Sequence, residues 1–212
     1  MRTKHTVPSG TMSSDAGEKR SRILSAAMDT FMEHGFAAAT TLEIATRAKV
    51  SKRELYTLVG NKEAMLAACV AGRGQRMRLP ADFPAPTDTA SLRSALRLYG
   101  VTLLRELTDP NVLAVFRLAI SEWKRSPGVA ASINEQGRKP ARAALDSILR
   151  PARAAKLLKD DDLAAMASHY QGLLRGDFYV WLLLGTEKAP AAKDIERRAA
   201  EVADLFLALY GR

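Results

Sequence analysis

The stretch TTLEIATRAKVSKRELYTLVGNK, residues 40–62, carries two helix-start signals only a few positions apart. Thr40 and Ser51 are each followed three residues later by a glutamate. This spacing is typical of a capping box, in which a hydroxyl and a carboxylate satisfy backbone N–H groups at the start of a helix. We therefore predict a short helix that ends near residue 48 and a second helix over residues 52–58, which together form a helix-turn-helix.

The second predicted helix has an apolar side and a polar side. Leu55 and Leu58 can pack the helix pair together, whereas Lys52, Arg53 and Tyr56 project outward. In a helix-turn-helix, the second helix enters the major groove of DNA, where positive charges and a phenol hydroxyl suit a phosphate or a base edge. A basic surface helix also occurs in proteins that bind no nucleic acid, so the pattern taken alone leaves both interpretations open.

Helical periodicity continues on both sides of this pair. Before it, we predict a first helix over residues 18–34 that ends at Gly35. After it, Asn61 caps a longer helix over residues 62–77. The proline-rich stretch LPADFPAP, residues 79–86, cannot continue a helix and marks the predicted domain boundary.

The remainder of the chain is also predicted to be helical, because no segment alternates apolar and polar residues long enough to suggest a sheet. The predicted helices are residues 88–107, 110–125, 127–149, 161–184 and 190–210. Pro140 falls inside the third of them and should kink or split it. The predicted fold class is all-α, with an N-terminal helix-turn-helix domain at residues 18–78 and a C-terminal helical domain at residues 79–212.

Composition narrows the classes of partner and site. The 32 Lys and Arg residues outnumber the 23 Asp and Glu residues, which favours an anionic partner such as nucleic acid or an acidic membrane surface. Cys69 is the single cysteine and the three histidines are scattered, so we expect no disulfide, no metal and no cofactor. With no signal peptide and no membrane span, we expect a cytoplasmic protein. Residues 1–17 are predicted to form a flexible tail or, alternatively, a basic arm that reaches DNA through Arg2 and Lys4.

Residues 20–66 resemble the N-terminal domain of TetR-family transcriptional regulators. The matching positions include Gly35-Phe36, Thr40-Thr41, Ile44-Ala45, Leu55-Tyr56 and Lys62-Glu63. The resemblance implies binding to double-stranded operator DNA. It also implies that phosphates are held by Thr41, Ser51, Tyr56 and Lys62, and that Lys52 and Arg53 lie at the groove-facing start of the recognition helix.

Two stretches of the C-terminal half resemble the AefR-like C-terminal domain that some TetR-family proteins carry. They are VFRLAISEWKRSPGVAASINEQG, residues 115–137, and HYQGLLRGDFYVWLLLG, residues 169–185. The resemblance covers roughly residues 90–210 and implies a helical domain for dimerisation and ligand binding.

Large aromatic side chains are concentrated in this half, and such groups with a few polar neighbours can line a small-molecule pocket. We assign an apolar or aromatic ligand to a site formed by Tyr99, Phe116, Trp123, Tyr170, Leu174 and Asp177. The alternative for each aromatic residue is that it belongs to the core.

The final two predicted helices supply a candidate dimer interface. Ile195, Ala199, Val202, Phe206 and Leu209 recur at helical spacing and form one apolar stripe. The preceding helix is apolar on almost all sides from Phe178 to Leu184. We assign the homodimer interface to Phe178, Leu182, Val202, Phe206 and Leu209. The alternative is that the stripe packs only within the subunit.

Together these observations predict a homodimeric repressor that a small molecule releases from its operator. The alternative is a ligand-independent architectural DNA-binding protein, which a lack of preference for any one DNA sequence would indicate. An enzyme is not expected, because no Ser-His-Asp, Cys-His or paired-carboxylate arrangement can be identified.

Overall fold

The computed structural model of the protein describes residues 10–77 and 83–212, and the all-α fold class is confirmed over them. The α-helices in chain order are α1 Gly10–Ala38, α2 Thr41–Ala48, α3 Lys52–Leu58, α4 Lys62–Gly74, α5 Thr89–Leu107, α6 Pro110–Ser121, α7 Pro127–Ile133, α8 Lys139–Ala154, α9 Leu163–Arg175, α10 Phe178–Leu184 and α11 Ala192–Tyr210. Extended pairing in this part of the chain is limited to one isolated bridge between Leu158 and Gly211. None of the helices in the two described ranges is long and apolar enough to cross a membrane.

Helix α1 begins at Gly10, which is earlier than the start predicted at residue 18. Once a helix has nucleated, each further residue adds one hydrogen bond, so a segment with few apolar residues can extend it. The predicted stop at Gly35 is present, because this residue leaves the helical conformation with φ 78° and ψ 162°. The predicted basic arm, with Arg2 and Lys4, lies outside the described residues.

The chain divides into two compact units. The first consists of the residues up to Cys69 together with Leu118–Ala130, and the second consists of Val70–Arg117 and Ala131–Arg212. This division falls within α4, and α6 contributes residues to both units.

The first unit is built on α1, α2 and α3, which pack against one another. Its fully or almost fully buried side chains include Ile23, Ala27, Phe31, Ile44, Ala45, Leu55, Met65 and Leu66. The boundaries predicted for the helix-turn-helix are confirmed at α2 and α3. Glu122 is also buried in this unit, where its Oε1 lies 3.1 Å from the position that a Cβ on Gly35 would occupy.

The second unit packs α5, α8, α9 and α11 around one apolar core. Its largest buried side chains include Tyr99, Tyr170 and Phe206. Gly100 allows α5 to approach α9 and α11 closely. A Cβ at this position would lie 2.9 Å from the Tyr170 hydroxyl of α9 and 3.1 Å from the Cβ of Ala199 of α11.

Two of the predicted C-terminal helices are interrupted. The helix predicted over residues 161–184 is two helices, α9 and α10, because Gly176 leaves the helical conformation with φ 52°. The guanidinium of Arg198 fills the space at this break and donates hydrogen bonds to the last carbonyl groups of α9. The helix predicted over residues 127–149 splits into α7 and α8 around a π turn just before Pro140, as the proline predicts.

Candidate functional site

The start of α3 is fixed by a complete capping box. The Ser51 hydroxyl accepts from the backbone N–H of Glu54 at 3.1 Å, and the Glu54 carboxylate accepts from the backbone N–H of Ser51 at 2.9 Å. Lys19 of α1 lies 3.2 Å from the other carboxylate oxygen. The hydrogen bonds from Ser51 and the charge of Lys19 lower the pKa of Glu54 to about 2. The N-terminus of α3 is therefore held in place by these side-chain hydrogen bonds.

Helix α3 presents Lys52, Arg53 and Tyr56 together on one exposed side, as predicted, while Leu55 is fully buried on the opposite side. We call these three residues the outward side of α3. Thr41, at the start of α2, joins them, because its hydroxyl lies 3.3 Å from the Tyr56 hydroxyl. Over residues 10–77 and 83–212, neither Lys52 nor Arg53 forms an ion pair, so both charges face solvent. The surface combines two free cations with two hydroxyl groups, which suits a polyanion.

The flank of α2 that carries Glu43 and Arg47 contacts α1. Arg47 donates to Glu33 at 2.6 Å and to Glu43 at 2.8 Å, and His34 lies 3.0 Å from Glu43. The Thr40 hydroxyl accepts from the backbone N–H of Glu43 at 3.2 Å, so the predicted cap is present. The capping box also predicts that the Glu43 carboxylate accepts from the backbone N–H of Thr40. This prediction is wrong, because the carboxylate pairs with Arg47 and His34.

The prediction that Lys62 holds a phosphate is corrected by its surroundings. Its ammonium group donates to the backbone oxygens of Phe36, Ala37 and Ala39 at 2.8, 3.1 and 2.8 Å, and it lies 5.1 Å from the Phe36 ring centroid. An ammonium has three N–H donors, and all three are used here. Lys62 therefore caps the end of α1. Ser51 is exposed, and its contact with a phosphate stays a prediction.

Three residues assigned to the ligand site belong to the closed core of the second unit. Tyr99, Tyr170 and Leu174 are buried. The Tyr99 hydroxyl donates to the backbone oxygen of Ala141, and the Tyr170 hydroxyl donates to that of Leu96. All three residues therefore belong to the core, which was the alternative interpretation. Both tyrosine hydroxyls already have protein partners.

The other three assigned residues are not buried in that core. Trp123 is 64% exposed and belongs to the first unit, and its role in ligand binding stays a prediction. Asp177 is exposed just before α10. Phe116 is half-buried and packs edge-to-face on Tyr179, with ring centroids 6.1 Å apart.

Tyr179 is a candidate ligand residue that the sequence analysis missed. Its side chain is buried beside Leu113 and Leu182, yet its hydroxyl has no hydrogen-bond partner among the described residues. Burial raises the pKa of this phenol to about 12, so it remains a neutral donor. The sequence does not single out Tyr179, because it lies in the run FYVWLLL, in which all the remaining residues are apolar.

Several residues assigned to the dimer interface are buried within the subunit. Leu182, Val202 and Phe206 are 3%, 4% and 0% exposed, so their assignment to contacts with a partner is corrected. Phe178 is half-buried, and the guanidinium carbon of Arg198 lies 4.8 Å from the centroid of its ring. The exposed large apolar side chains of α10 and α11, including the predicted Leu209, are Val180, Trp181, Leu184, Leu205 and Leu209. We call these five residues the exposed apolar set of α10 and α11.

Cys69 and the acidic residues supply little reactive chemistry. The Cys69 thiol donates to the backbone oxygen of Leu24, and burial raises its pKa to about 11, so it is not a nucleophile near neutral pH. Across the part of the chain that the structure describes, no three His, Cys, Asp or Glu side chains are grouped to hold a metal ion.

Family models match both halves of the chain. Residues 23–69 match the model described as bacterial regulatory proteins, tetR family. Residues 94–212 match the model described as AefR-like transcriptional repressor, C-terminal domain. Both matches agree with the resemblances found in the sequence.

Solved structures of regulators share the fold over almost the whole chain. A TetR transcriptional regulator from Agrobacterium tumefaciens is 28% identical, with a TM-score of 0.75 over 91% of this chain and 94% of its own. The flavonoid-responsive regulator FrrA is 29% identical, with a TM-score of 0.73 over 92% and 98%. A TetR-family regulator from Pseudomonas syringae pv. tomato is 25% identical, with a TM-score of 0.68 over 91% and 96%. Among curated protein sequences, none matches the chain.

Proposed function

Because the chain belongs to the TetR family of bacterial regulatory proteins and carries the AefR-like C-terminal domain, we propose that it is a repressor that binds its operator as a homodimer and leaves it on binding a small molecule. The protein is a DNA-binding transcriptional regulator rather than an enzyme. Its place of action would be the cytoplasm, where bacterial DNA lies.

The observation that carries the operator-binding part of the proposal is the outward side of α3. Lys52 and Arg53 face solvent at the start of a capped helix, and Tyr56 follows one turn later beside Thr41. In a helix-turn-helix, residues at the start of the second helix contact base edges in the major groove. Arginine can donate two hydrogen bonds to guanine, and hydroxyl groups bind phosphates. This division of roles is expected for Arg53 on one side and Thr41 and Tyr56 on the other.

The homodimer is supported by the exposed apolar set of α10 and α11. Leu205 and Leu209 are one turn apart on α11, and Val180, Trp181 and Leu184 lie on α10. Association with a second subunit would remove such large apolar side chains from water, which favours a dimer. Binding to a two-fold-symmetric operator requires the dimer to hold two copies of α3 about 34 to 36 Å apart, which is the spacing of successive major grooves on one side of DNA.

The ligand is expected to be apolar or aromatic and to carry a hydrogen-bonding group. Tyr179 and Phe116 provide aromatic surface, and the buried Tyr179 hydroxyl has no partner in the described part of the protein. A buried hydroxyl without a partner costs about 1 to 3 kcal/mol, and a polar atom of a ligand would remove this cost. The 29% identical regulator FrrA is flavonoid-responsive, and flavonoids combine aromatic rings with hydroxyl and carbonyl groups.

Helix α6 is the proposed route between ligand and DNA. In the second unit, Arg117 of α6 donates hydrogen bonds to the backbone oxygens of Leu182 and Leu183 at 2.7 Å each. In the first unit, Glu122 just beyond α6 is buried next to Gly35, where α1 is interrupted. A shift of α10 on ligand binding would therefore be transmitted along one helix toward α1. Coupling of this kind amounts to about 1 to 3 kcal/mol.

The test is a selection of bound DNA fragments by the full chain, with and without a panel of flavonoids. The proposal predicts enrichment of one two-fold-symmetric sequence and its release by at least one member of the panel. Binding of all fragments with similar affinity would contradict specific regulation and favour the architectural alternative. Enrichment that no small aromatic compound reverses would contradict the ligand part alone.

A further inference from the structure

Leu42 is an exposed apolar side chain at the start of the helix-turn-helix. It is 64% exposed, whereas Ile44, Ala45 and Ala48 of the same helix are buried. A single exposed leucine is ordinary on a protein surface and by itself indicates nothing. The position of Leu42 relative to the DNA-binding surface is what makes it informative.

The position follows from the contacts of its neighbours. One flank of α2 carries Glu43 and Arg47, which pair with α1. Thr41 lies against Tyr56, so the first turn of α2 borders the outward side of α3. Leu42 and Thr46 are four residues apart, and residues at this spacing share one flank of a helix.

Leu42 and Thr46 are both uncharged. Thr46 is exposed, and its hydroxyl donates to the backbone oxygen of Leu42 at 2.9 Å. The hydrogen bond uses the only donor of the threonine side chain within α2 itself. The flank therefore offers an isobutyl group and a methyl group directly beside a surface that is otherwise cationic and hydroxyl-rich.

We propose that Leu42 reads thymine by contacting its 5-methyl group at a fixed position in each half of the operator. In the major groove, thymine is the base that presents a methyl group, and apolar side chains recognise it by contact. Leucine cannot replace the hydrogen bonds of a polar base edge, so the same side chain disfavours the other bases. The proposal rests on the proposed function, because it requires α3 to lie in the major groove.

The test uses the full chain and duplex DNA in which deoxyuridine replaces thymidine, which removes the methyl group and leaves the base pair unchanged. A preferred sequence is first selected with the wild type, and each thymine in it is then replaced separately. At one position in each half-site, the replacement should weaken wild-type binding by about three- to tenfold. The Leu42→Ala variant should bind both duplexes equally and should lose the thymine preference there in its own selection.

Leu98→Ala is the matched control. Leu98 is also an exposed leucine, at 50%, but it lies on α5 in the second unit. Its removal should leave every base preference unchanged. Because both leucines are exposed, neither substitution removes a buried contact of the fold.

The inference is overturned if Leu42→Ala selects the same sequence with the same preferences, or if it weakens binding to all sequences alike. It is also overturned if every deoxyuridine replacement affects the wild type and Leu42→Ala equally. Failure of the wild type to enrich any sequence is a different result, which contradicts the proposed function and removes this inference with it.

Discussion

Arg53 and Tyr56 are neighbours on the outward side of α3, but they offer DNA different groups. The Arg53 guanidinium is free of ion pairs within the described residues and can donate two hydrogen bonds to one base. The Tyr56 hydroxyl is shared with Thr41 and suits a phosphate oxygen. At the scale of residues, base reading and phosphate binding are therefore separable by substitution.

Arg53→Ala should weaken binding to the preferred operator by about 1 to 3 kcal/mol and flatten the preference at one base pair. Tyr56→Phe, its matched control, should weaken binding to all sequences by a similar factor, because a phosphate contact carries no sequence information. Equilibrium binding to a set of single-base operator variants measures both effects. An unchanged base preference in Arg53→Ala would remove its base-reading role.

Glu54 makes the start of α3 sensitive to acid. Hydrogen bonds from Ser51 and the charge of Lys19 lower its pKa from the ordinary 4.5 to about 2. A pKa that is lower in the folded state means that the carboxylate stabilises the fold fully above its unfolded pKa and loses this effect as the pH falls. The wild type should therefore lose its advantage over Glu54→Gln between about pH 5 and pH 2.

Denaturant unfolding of the two proteins across this range measures the difference directly, and other carboxylates cancel because both proteins contain them. A difference in the free energy of unfolding that stays constant from neutral pH to pH 3 would contradict this role of Glu54.

At the scale of elements, the break between α9 and α10 depends on Gly176. Its φ of 52° is rarely adopted by other residues, and a Cβ there would collide with the Arg198 guanidinium that closes α9. Gly176→Ala should lower the free energy of unfolding by about 1 to 3 kcal/mol.

Gly172→Ala is the control, because Gly172 lies inside α9 with open space around its Cα, and alanine there should raise stability by about 0.5 to 1 kcal/mol. Thermal or denaturant unfolding measures both variants. Equal effects at the two glycines would show that the break does not require positive φ.

Elements with local causes were predictable from the sequence, and elements with distant causes were not. Helices α2 and α3 begin at Thr40 and Ser51 caps, whose partners lie three residues away. The carbonyl groups at the end of α9 accept from Arg198, which lies more than twenty residues later in the chain, so the residues near α9 do not reveal this contact. The same limit applies to Lys62, whose ammonium is used by carbonyl groups of α1 that only the folded chain brings to it.

In the whole molecule, one apolar side of α11 packs into the core of the subunit, and other apolar residues of the helix are exposed to solvent. The sequence shows apolar residues on more than one side, and periodicity does not reveal which side faces the subunit's own core. Val202 and Phe206 face that core, whereas Leu205 and Leu209 remain exposed. The exposed apolar set of α10 and α11 therefore replaces the buried residues in the proposed interface.

Leu184→Asp combined with Leu205→Asp should give a monomer that keeps its helical content, because both leucines are more than half exposed in the subunit. Ile120→Asp is the control, since Ile120 is 61% exposed on α6 and should not affect the dimer. Sedimentation velocity and far-ultraviolet circular dichroism distinguish the outcomes. A wild type that sediments as a monomer at micromolar concentration, or a double variant that remains dimeric, would contradict the proposed interface.

Sequence-specific DNA binding can be measured as the ratio of two affinities. The dissociation constant of the full chain for its selected operator is compared with that for random duplex DNA of the same length, at one fixed salt concentration near physiological. Specific regulators prefer their sites by about a thousandfold or more, and we expect a ratio in that range. Affinities within a few-fold of each other would contradict it, because the outward side of α3 would then be contacting only the DNA backbone.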